Sequence, residues 1–313
     1  MNESQRNLTF SFSQEKGTIQ GGIHVGPSTT NADLVQMINI AFMPAGKISI
    51  RHRDSLFPLS PNNRPIKLGH YILSPVKDGD FVSVNDEPFL VRPPPIAPFV
   101  TANSAVEHFQ SLVKNRDQKC VISGETAELA DADDSEEESD LHTAHIFPVA
   151  WNNLLSSQVP DYAITYKHPD DGTGVNSPQN GLLIKSEIHP LWNAYFVSVN
   201  PDTNKVISFS ELTDQYDGRM LDPACRQKSS PYYVPDELLK WHFKQCVLAR
   251  MRGPIEPTYL QNGLYSAVPY SLSSRDFTGS SPASCYSSRY SSQLSLDITE
   301  DELEDHPTPI HVK

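Results

Sequence analysis

Residues 180–193 read NGLLIKSEIHPLWN, and the fold class turns on how this stretch is parsed. Leu182–Ile184 is a short apolar run entered through Asn180-Gly181, a pair that favours turns, and it reads as a strand. Ser186 is a candidate N-cap for a short helix that follows. Pro190 falls in the first turn of that helix, where a missing N–H costs nothing. Upstream, residues 141–148 read LHTAHIFP, a strand over Leu141–Phe147 that ends at Pro148. The order is therefore strand, loop, strand, helix. On the helix His189 and Asn193 are four residues apart and project from one face. An imidazole and a carboxamide oxygen can share one divalent ion, with His145 facing it from the first strand and Asn180 bracing the turn between them.

Three elements stand in order along the chain: Cys120-Val121-Ile122-Ser123-Gly124, then Ala144-His145-Ile146-Phe147-Pro148, then Asn180-Gly181-Leu182 running to His189. The set resembles the HNH endonuclease superfamily, and in its wording it is similar to the HNH domains of many fungal proteins. The resemblance spans about 90 residues, under a third of the chain. It implies an α+β fold with a ββα-metal core and metal-dependent hydrolysis of nucleic-acid phosphodiester bonds. It implies His145 as the general base that activates water, Asn180 as the residue that orients it, and His189 as a metal ligand. Asn193 stands where an Asp or His commonly supplies another ligand. The implied cofactor is a divalent ion, Mg²⁺ or Mn²⁺ ahead of Zn²⁺, and the implied partner is nucleic acid, DNA ahead of RNA. An imidazole, with an ordinary pKa of about 6.5, suits general-base work at neutral pH. Many HNH enzymes carry an acid or a His just before the base, and here that position is Ala144. His142 would replace the missing ligand beside His145 only through a bulge, because residues three apart on a strand face opposite ways.

Each of these residues also has a structural reading. His145 could be a hydrogen-bonded structural histidine, Asn180-Gly181 an ordinary turn, and Asn193 a solvated helix residue. Cys120 reads as a packed thiol, since no partner cysteine lies near it in sequence. A second functional reading follows from Ala144 and from the charge: an HNH fold kept as a protein- or nucleic-acid-binding module without catalysis. The rim around His145 separates the two. A basic rim drawn from Lys114, Arg116, Lys119 and Lys185 favours nucleic acid, and an acidic or apolar rim favours a protein partner. The long connection from Trp151 to Ser177 is expected either to cover the site or to shape access to it. His168, Asp170 and Asp171 are expected to be exposed within it.

Outside this core, residues 1–92 read as a β-rich N-terminal domain. Short strands at Leu8–Phe12, Ile19–Val25, Lys47–Arg51, Tyr71–Leu73 and Phe81–Val84 are punctuated by Gly, Pro, Asn and Asp. Asn31–Met43 fits a helix or a strand equally. Residues 93–103 hold a run of prolines that reads as a stiff linker. Helices are expected over Ser104–Asn115 and over residues 236–252, the second with Leu238, Leu239, Phe243, Cys246 and Val247 as its buried stripe. Residues 104–252 thus form the nuclease-like domain with flanking helices. Residues 253–313, rich in Ser and acids, are expected to be a disordered tail that could engage a protein partner.

The chain carries a formal charge of −13 over 313 residues. Fifteen of its acids lie in two segments, 125–140 and 297–305, that contain no Lys or Arg, and setting these aside leaves +2. The body is near neutral rather than basic, so charge neither requires nor excludes nucleic acid. The four cysteines include no C-x-x-C pair, which argues against a zinc ribbon and a disulfide framework. No signal-peptide pattern and no run of about 18 apolar residues is present. An intracellular location, nucleus or cytoplasm, is the expectation.

Overall fold

Apolar residues at every second position give the first strand a buried face. Leu8, Phe10 and Phe12 of β1 (Leu8–Phe12) are at most 3% exposed, while Thr9 and Ser11 hold the His70 ring from the other side at 2.8 and 2.9 Å. β1 pairs with β2 (Ile19–Ile23) antiparallel. The N-terminal half continues with α1 (Asn31–Ala41), β3 (Phe42–Pro44), β4 (Ile48–His52), β5 (Gly69–Pro75) and β6 (Val82–Val84). The sheet order is β2-β1-β5-β4, with β1 and β5 parallel and the other pairs antiparallel. β3 and β6 form a separate antiparallel pair. The computed structural model describes residues 6–14, 18–90, 104–126 and 140–252, all within one compact unit. The fold is mixed α+β with small sheets, as the sequence leads one to expect. The linker expected at 93–103, the tail expected at 253–313 and most of the acidic run at 125–140 lie outside the described residues.

The ambiguous segment after Thr30 is helical because its start is capped and its apolar residues recur at helical spacing. Thr30 and Asp33 form a reciprocal capping box. Leu34, Met37, Ile38 and Ala41 recur at helical spacing and are fully buried.

The second half of the described chain runs α2 (Ser104–Asp117), β7 (Leu141–His145), the single turn α3 (Leu155–Gln158), β8 (Gly181–Lys185), α4 (Ile188–Asn193), β9 (Val197–Asn200), β10 (Lys205–Ser208) and α5 (Asp236–Met251). β7 pairs with β8 antiparallel in an unbroken register from Leu141↔Lys185 to His145↔Gly181. β9 pairs with β10 in the same sense. The helix after β8 begins at Ile188 with Glu187 before it. Ser186 does not cap it, because its hydroxyl bonds to Asp140 Oδ1 at 2.5 Å instead. Pro190 does fall in the first turn.

The apolar stripe expected on the last helix is buried in full, but α5 is buried more widely than a one-face stripe. Trp241, His242, Gln245, Leu248 and Met251 are also at most 5% exposed. The reason is its position: Phe243, Cys246, Val247 and Met251 share a core with Phe10, Met37 and Phe42 from the N-terminal half and with Tyr195 and Phe209. The approach is close enough to demand glycine at one point. A Cβ on Gly21 would lie 2.5 Å from the Met251 carbonyl oxygen.

A polar bolt crosses the same contact. Asp33, 3% exposed, accepts from Lys205 Nζ at 2.7 Å and from Asn200 Nδ2 at 2.9 Å. Burial alone would raise the Asp33 carboxyl, but hydrogen bonds from Lys205 and Thr30 outweigh it and hold the group below the usual carboxylate range. Removing one partner of such a buried pair strands the other charge. Asp33→Ala is therefore expected to lower unfolding free energy by about 3 kcal/mol, read as a shift in urea midpoint. A depressed acid stabilises the fold above its unfolded value and stops doing so as pH falls through its folded value. The gap between wild type and Asp33→Asn should thus be full above about pH 5 and close at lower pH.

Candidate active site

The site is built between α2 and the β7–β8 pair. Alternation along β7 sends His145 to the α2 side, and its ring stacks on Phe109 at 4.2 Å between centroids and 13° between planes. The residue opposite it, Gly181, leaves room for that helix. A Cβ there would fall 2.5 Å from Phe109 Cε2 and 2.7 Å from Val113 Cγ2. Gly181 has extended backbone, with φ −130°. Close approach, and not turn formation, is what requires glycine at this position.

Asn180 is fully buried and its carboxamide makes three hydrogen bonds. Its Oδ1 accepts from Phe147 N at 2.7 Å, and its Nδ2 donates to Phe147 O at 3.0 Å and to Val175 O at 2.8 Å. Its backbone oxygen accepts from Ile146 N at 2.9 Å. Asn180 therefore clamps the end of β7, just past His145, to the loop at 175.

That loop supplies a contact that sequence reasoning missed. Asn176 Oδ1 lies 3.2 Å from His145 Nε2. With the carboxamide oxygen as acceptor, Nε2 carries the proton and Nδ1 the lone pair. Asn176 is 8% exposed and is held in turn by Asp171, which was expected to be exposed and is not. The Asp171 carboxylate accepts from the backbone of Thr173, Gly174 and Asn176 and from the Thr173 hydroxyl, at 2.6–3.2 Å. The only sequence signal was the D-x-T-G spelling of a side-chain-to-backbone turn. His168 is half-buried against His108, with ring centroids 5.0 Å apart.

His189 lies on α4, and the ring it meets is that of His142, edge-on with centroids 5.7 Å apart. The β7 register contains no bulge, so His142 faces α4 while His145 faces α2. Ala144, fully buried, shares the His142 side. Asn193 ends α4 and is half-buried. Trp192 of the same helix donates from Nε1 to His145 O at 3.3 Å and stacks on His242 at 3.6 Å. His145 and Asn180 are thus joined through Phe147 and the 175–176 loop, while His189 meets β7 through its other face.

Residues 120–200 match the family model described as HNH endonuclease. The match covers about a quarter of the chain and supports the HNH superfamily for that stretch. Residues 5–78 match a model described as Domain of unknown function (DUF8573). No curated protein and no solved structure matches the chain.

The rim residues do not form a cationic groove. Arg116 has a side chain only 4% exposed, and all five of its N–H donors are used within the fold. Two go to Asp117, at 2.6 and 2.8 Å, and three to the carbonyls of Pro178, Gly181 and Tyr232, each at 2.7 Å. Lys119 pairs with Asp222 at 2.8 Å. Lys185 sits among Glu125, Asp140 and Glu187 at 2.7, 3.5 and 4.0 Å, and its hydrogen bond to Glu125 leads the effects that raise its pKa. Lys114 is exposed.

The family's divalent ion finds a partial donor set. Among the described residues no three His, Cys, Asp or Glu side chains converge where an ion could sit. The two imidazoles of His142 and His189 do meet, and water or substrate oxygens can fill a shell that protein leaves open. Cys120 is fully buried and its sulfur accepts from Ser123 N, so it is a packed thiol. Burial pushes the Cys225 thiol up to about 12, which leaves it unreactive.

Two variants test this framework by urea unfolding. Asn180→Asp keeps the acceptor for Phe147 N but turns a carboxylate toward the Phe147 and Val175 carbonyls, and it is expected to cost at least about 3 kcal/mol. Arg116→Lys cannot reproduce the five-donor fork and is expected to cost about 3 kcal/mol.

Proposed function

We propose that residues 104–252 carry an HNH-type nuclease unit, of the kind found in many fungal proteins, that hydrolyses nucleic-acid phosphodiester bonds, braced by residues 1–92. The observation that carries this reading is the held His145. Its ring is fixed by Phe109 on one face and Asn176 at Nε2, on a strand end clamped by Asn180, inside the stretch that matches the HNH endonuclease model. A base must keep one tautomer and one direction, and this arrangement supports both. In the proposed role His145 takes a proton from water at Nδ1 while Asn176 holds the proton on Nε2. Asn180 keeps the strand end and the loop in step, so that base and orienting group move together. His189 and Asn193 are the residues proposed to hold a divalent ion of the Mg²⁺, Mn²⁺ or Zn²⁺ kind. A bound ion of this kind stabilises charge on the phosphate and on the leaving oxygen. DNA is the proposed substrate ahead of RNA. No helix of the described residues is long and apolar enough to cross a membrane.

A second reading is favoured by one observation, the neutralised rim. With Arg116 buried and Lys119 and Lys185 paired to acids, little cationic surface remains to attract a phosphate backbone. On this reading the fold is a binding module without catalysis.

Purified protein incubated with plasmid DNA and with RNA, in Mg²⁺, Mn²⁺, Zn²⁺ or EDTA, separates the two. The nuclease reading expects ion-dependent cleavage that His145→Ala reduces by at least about a hundredfold, with an unchanged circular dichroism spectrum. Equal cleavage by wild type and His145→Ala would remove His145 from the chemistry, and no cleavage by wild type under any ion would favour the binding module.

A further inference from the structure

The HNH resemblance leaves a gap at Ala144, and the strand places a histidine two residues earlier on the same face. We propose that His142 and His189 together form a cation site for a late first-row divalent ion such as Zn²⁺, Co²⁺ or Ni²⁺, with His142 standing in for the ligand that Ala144 cannot provide. The proposal deepens the nuclease reading and rests on it for what the ion would do, but binding itself is measured without cleavage.

Geometry is the first support. Unbroken pairing of β7 with β8 puts His142 and Ala144 on the side that faces α4. The two imidazoles meet there at 5.7 Å between centroids and 83° between planes. With metal–nitrogen bonds of about 2.0–2.1 Å, two imidazoles on one tetrahedral ion have ring centres roughly 5–6 Å apart. The observed centroid spacing lies within that range, and from the edge-on contact the rings must turn about their side-chain bonds to aim one nitrogen each at a shared ion. Both residues are half-buried, which leaves a path for the ion and for an oxygen ligand from solvent or phosphate. One histidine comes from a strand and the other from a helix, each fixed by a different part of the fold, so the pair is not a chance of local sequence.

Donor chemistry selects the ion. Neutral imidazole nitrogens suit Zn²⁺, Co²⁺ and Ni²⁺, whereas Mg²⁺ asks for oxygen donors. Neutral ligands also leave the full double charge on the ion. Two imidazoles bring no charge of their own to offset the ion, and the charge nearby is that of Glu125, Asp140 and Glu187 around the single Lys185. The natural further ligand is then an anion, and a phosphodiester oxygen fits that requirement. The ion would supply the attraction that the neutralised rim does not.

The test uses the full chain, Zn²⁺ by calorimetric titration and Co²⁺ by its visible absorption. Wild type is expected to bind one ion with the band intensity of a low-coordinate site. His142→Ala and His189→Ala are each expected to weaken binding by at least about tenfold, the smallest loss seen when even an outlying supporter of a metal site is removed. His145→Ala should keep wild-type affinity. Circular dichroism verifies folding, and His142→Gln serves if His142→Ala fails to fold. The site is overturned if wild type binds no ion, if His142→Ala and His142→Gln bind as wild type does, or if His145→Ala loses as much as His142→Ala. Failure of the nuclease reading looks different: an ion bound through His142 and His189, with no cleavage of DNA or RNA.

Discussion

Arg116 and Asp117 are neighbours on the last turn of α2, and their side chains form a buried fork from which the site is hung. The guanidinium spends every donor inside the protein, two on the Asp117 carboxylate and three on backbone carbonyls. Two of those carbonyls, Pro178 and Gly181, flank Asn180. Asp117 Oδ2 meanwhile accepts from Leu183 N at 2.9 Å, and Val121 N donates to Leu183 O at 2.9 Å. The outer edge of β8 is thus covered by side-chain and loop groups rather than by another strand. The consequence runs both ways along the chain. Toward its N-terminus α2 delivers Phe109 to the His145 ring, and toward the fork it fixes the segment that carries Asn180. Burial of the Asp117 carboxyl pushes its pKa up against the pull of Arg116, so the pair is held by geometry and full hydrogen bonding rather than by a cheap charge.

Polar groups with no slack recur across the site. Gln179 Oε1 accepts from the backbone of Thr165 and Tyr166, and Asp171 closes the loop that presents Asn176. Long loops are commonly mobile, but this one is tied at 165–166, at 171 and at 175 by buried side chains. The connection between the two strands therefore acts as part of the support of the His145 ring. A ring held by stacking on one face and by a carboxamide at one nitrogen keeps a single orientation, which is the condition for directed proton transfer.

Much of this was legible in the residues. The strand–helix order around His145 and His189 follows from short apolar runs punctuated by Pro148, Gly181 and Pro190, which are local signals. The helix over residues 236–251 was marked by its acids, its spacing and its breakers. What was illegible depends on contacts between distant segments. Arg116 reads as a rim cation because a sequence does not reveal that three carbonyls from residues 178, 181 and 232 converge on it. Asn176 reads as a loop asparagine among several. Gly181 reads as a turn residue, although its role is set by Phe109 more than 70 positions away. The facing of His142 toward α4 could be reasoned from strand alternation, but not what waited there. Nor does the Pro-rich run at 93–103 hint that helix α5 shares a core with the first strands.

That shared core bears on how the protein comes to be made. Gly21 bridges to Arg252, and Arg6 donates to the Arg252 carbonyl at 2.8 Å. The first strands therefore finish their packing only against a helix translated about 230 residues later. At about 5–20 residues per second a ribosome needs on the order of 10–50 seconds to bridge that interval. During it the buried face of β1, with Phe10 and Phe12, has no α5 to cover it. Contacts of such long reach slow folding and expose apolar strand to neighbours. Until the second half of the chain, α5 included, is made, that face has only the rest of the N-terminal half to pack against.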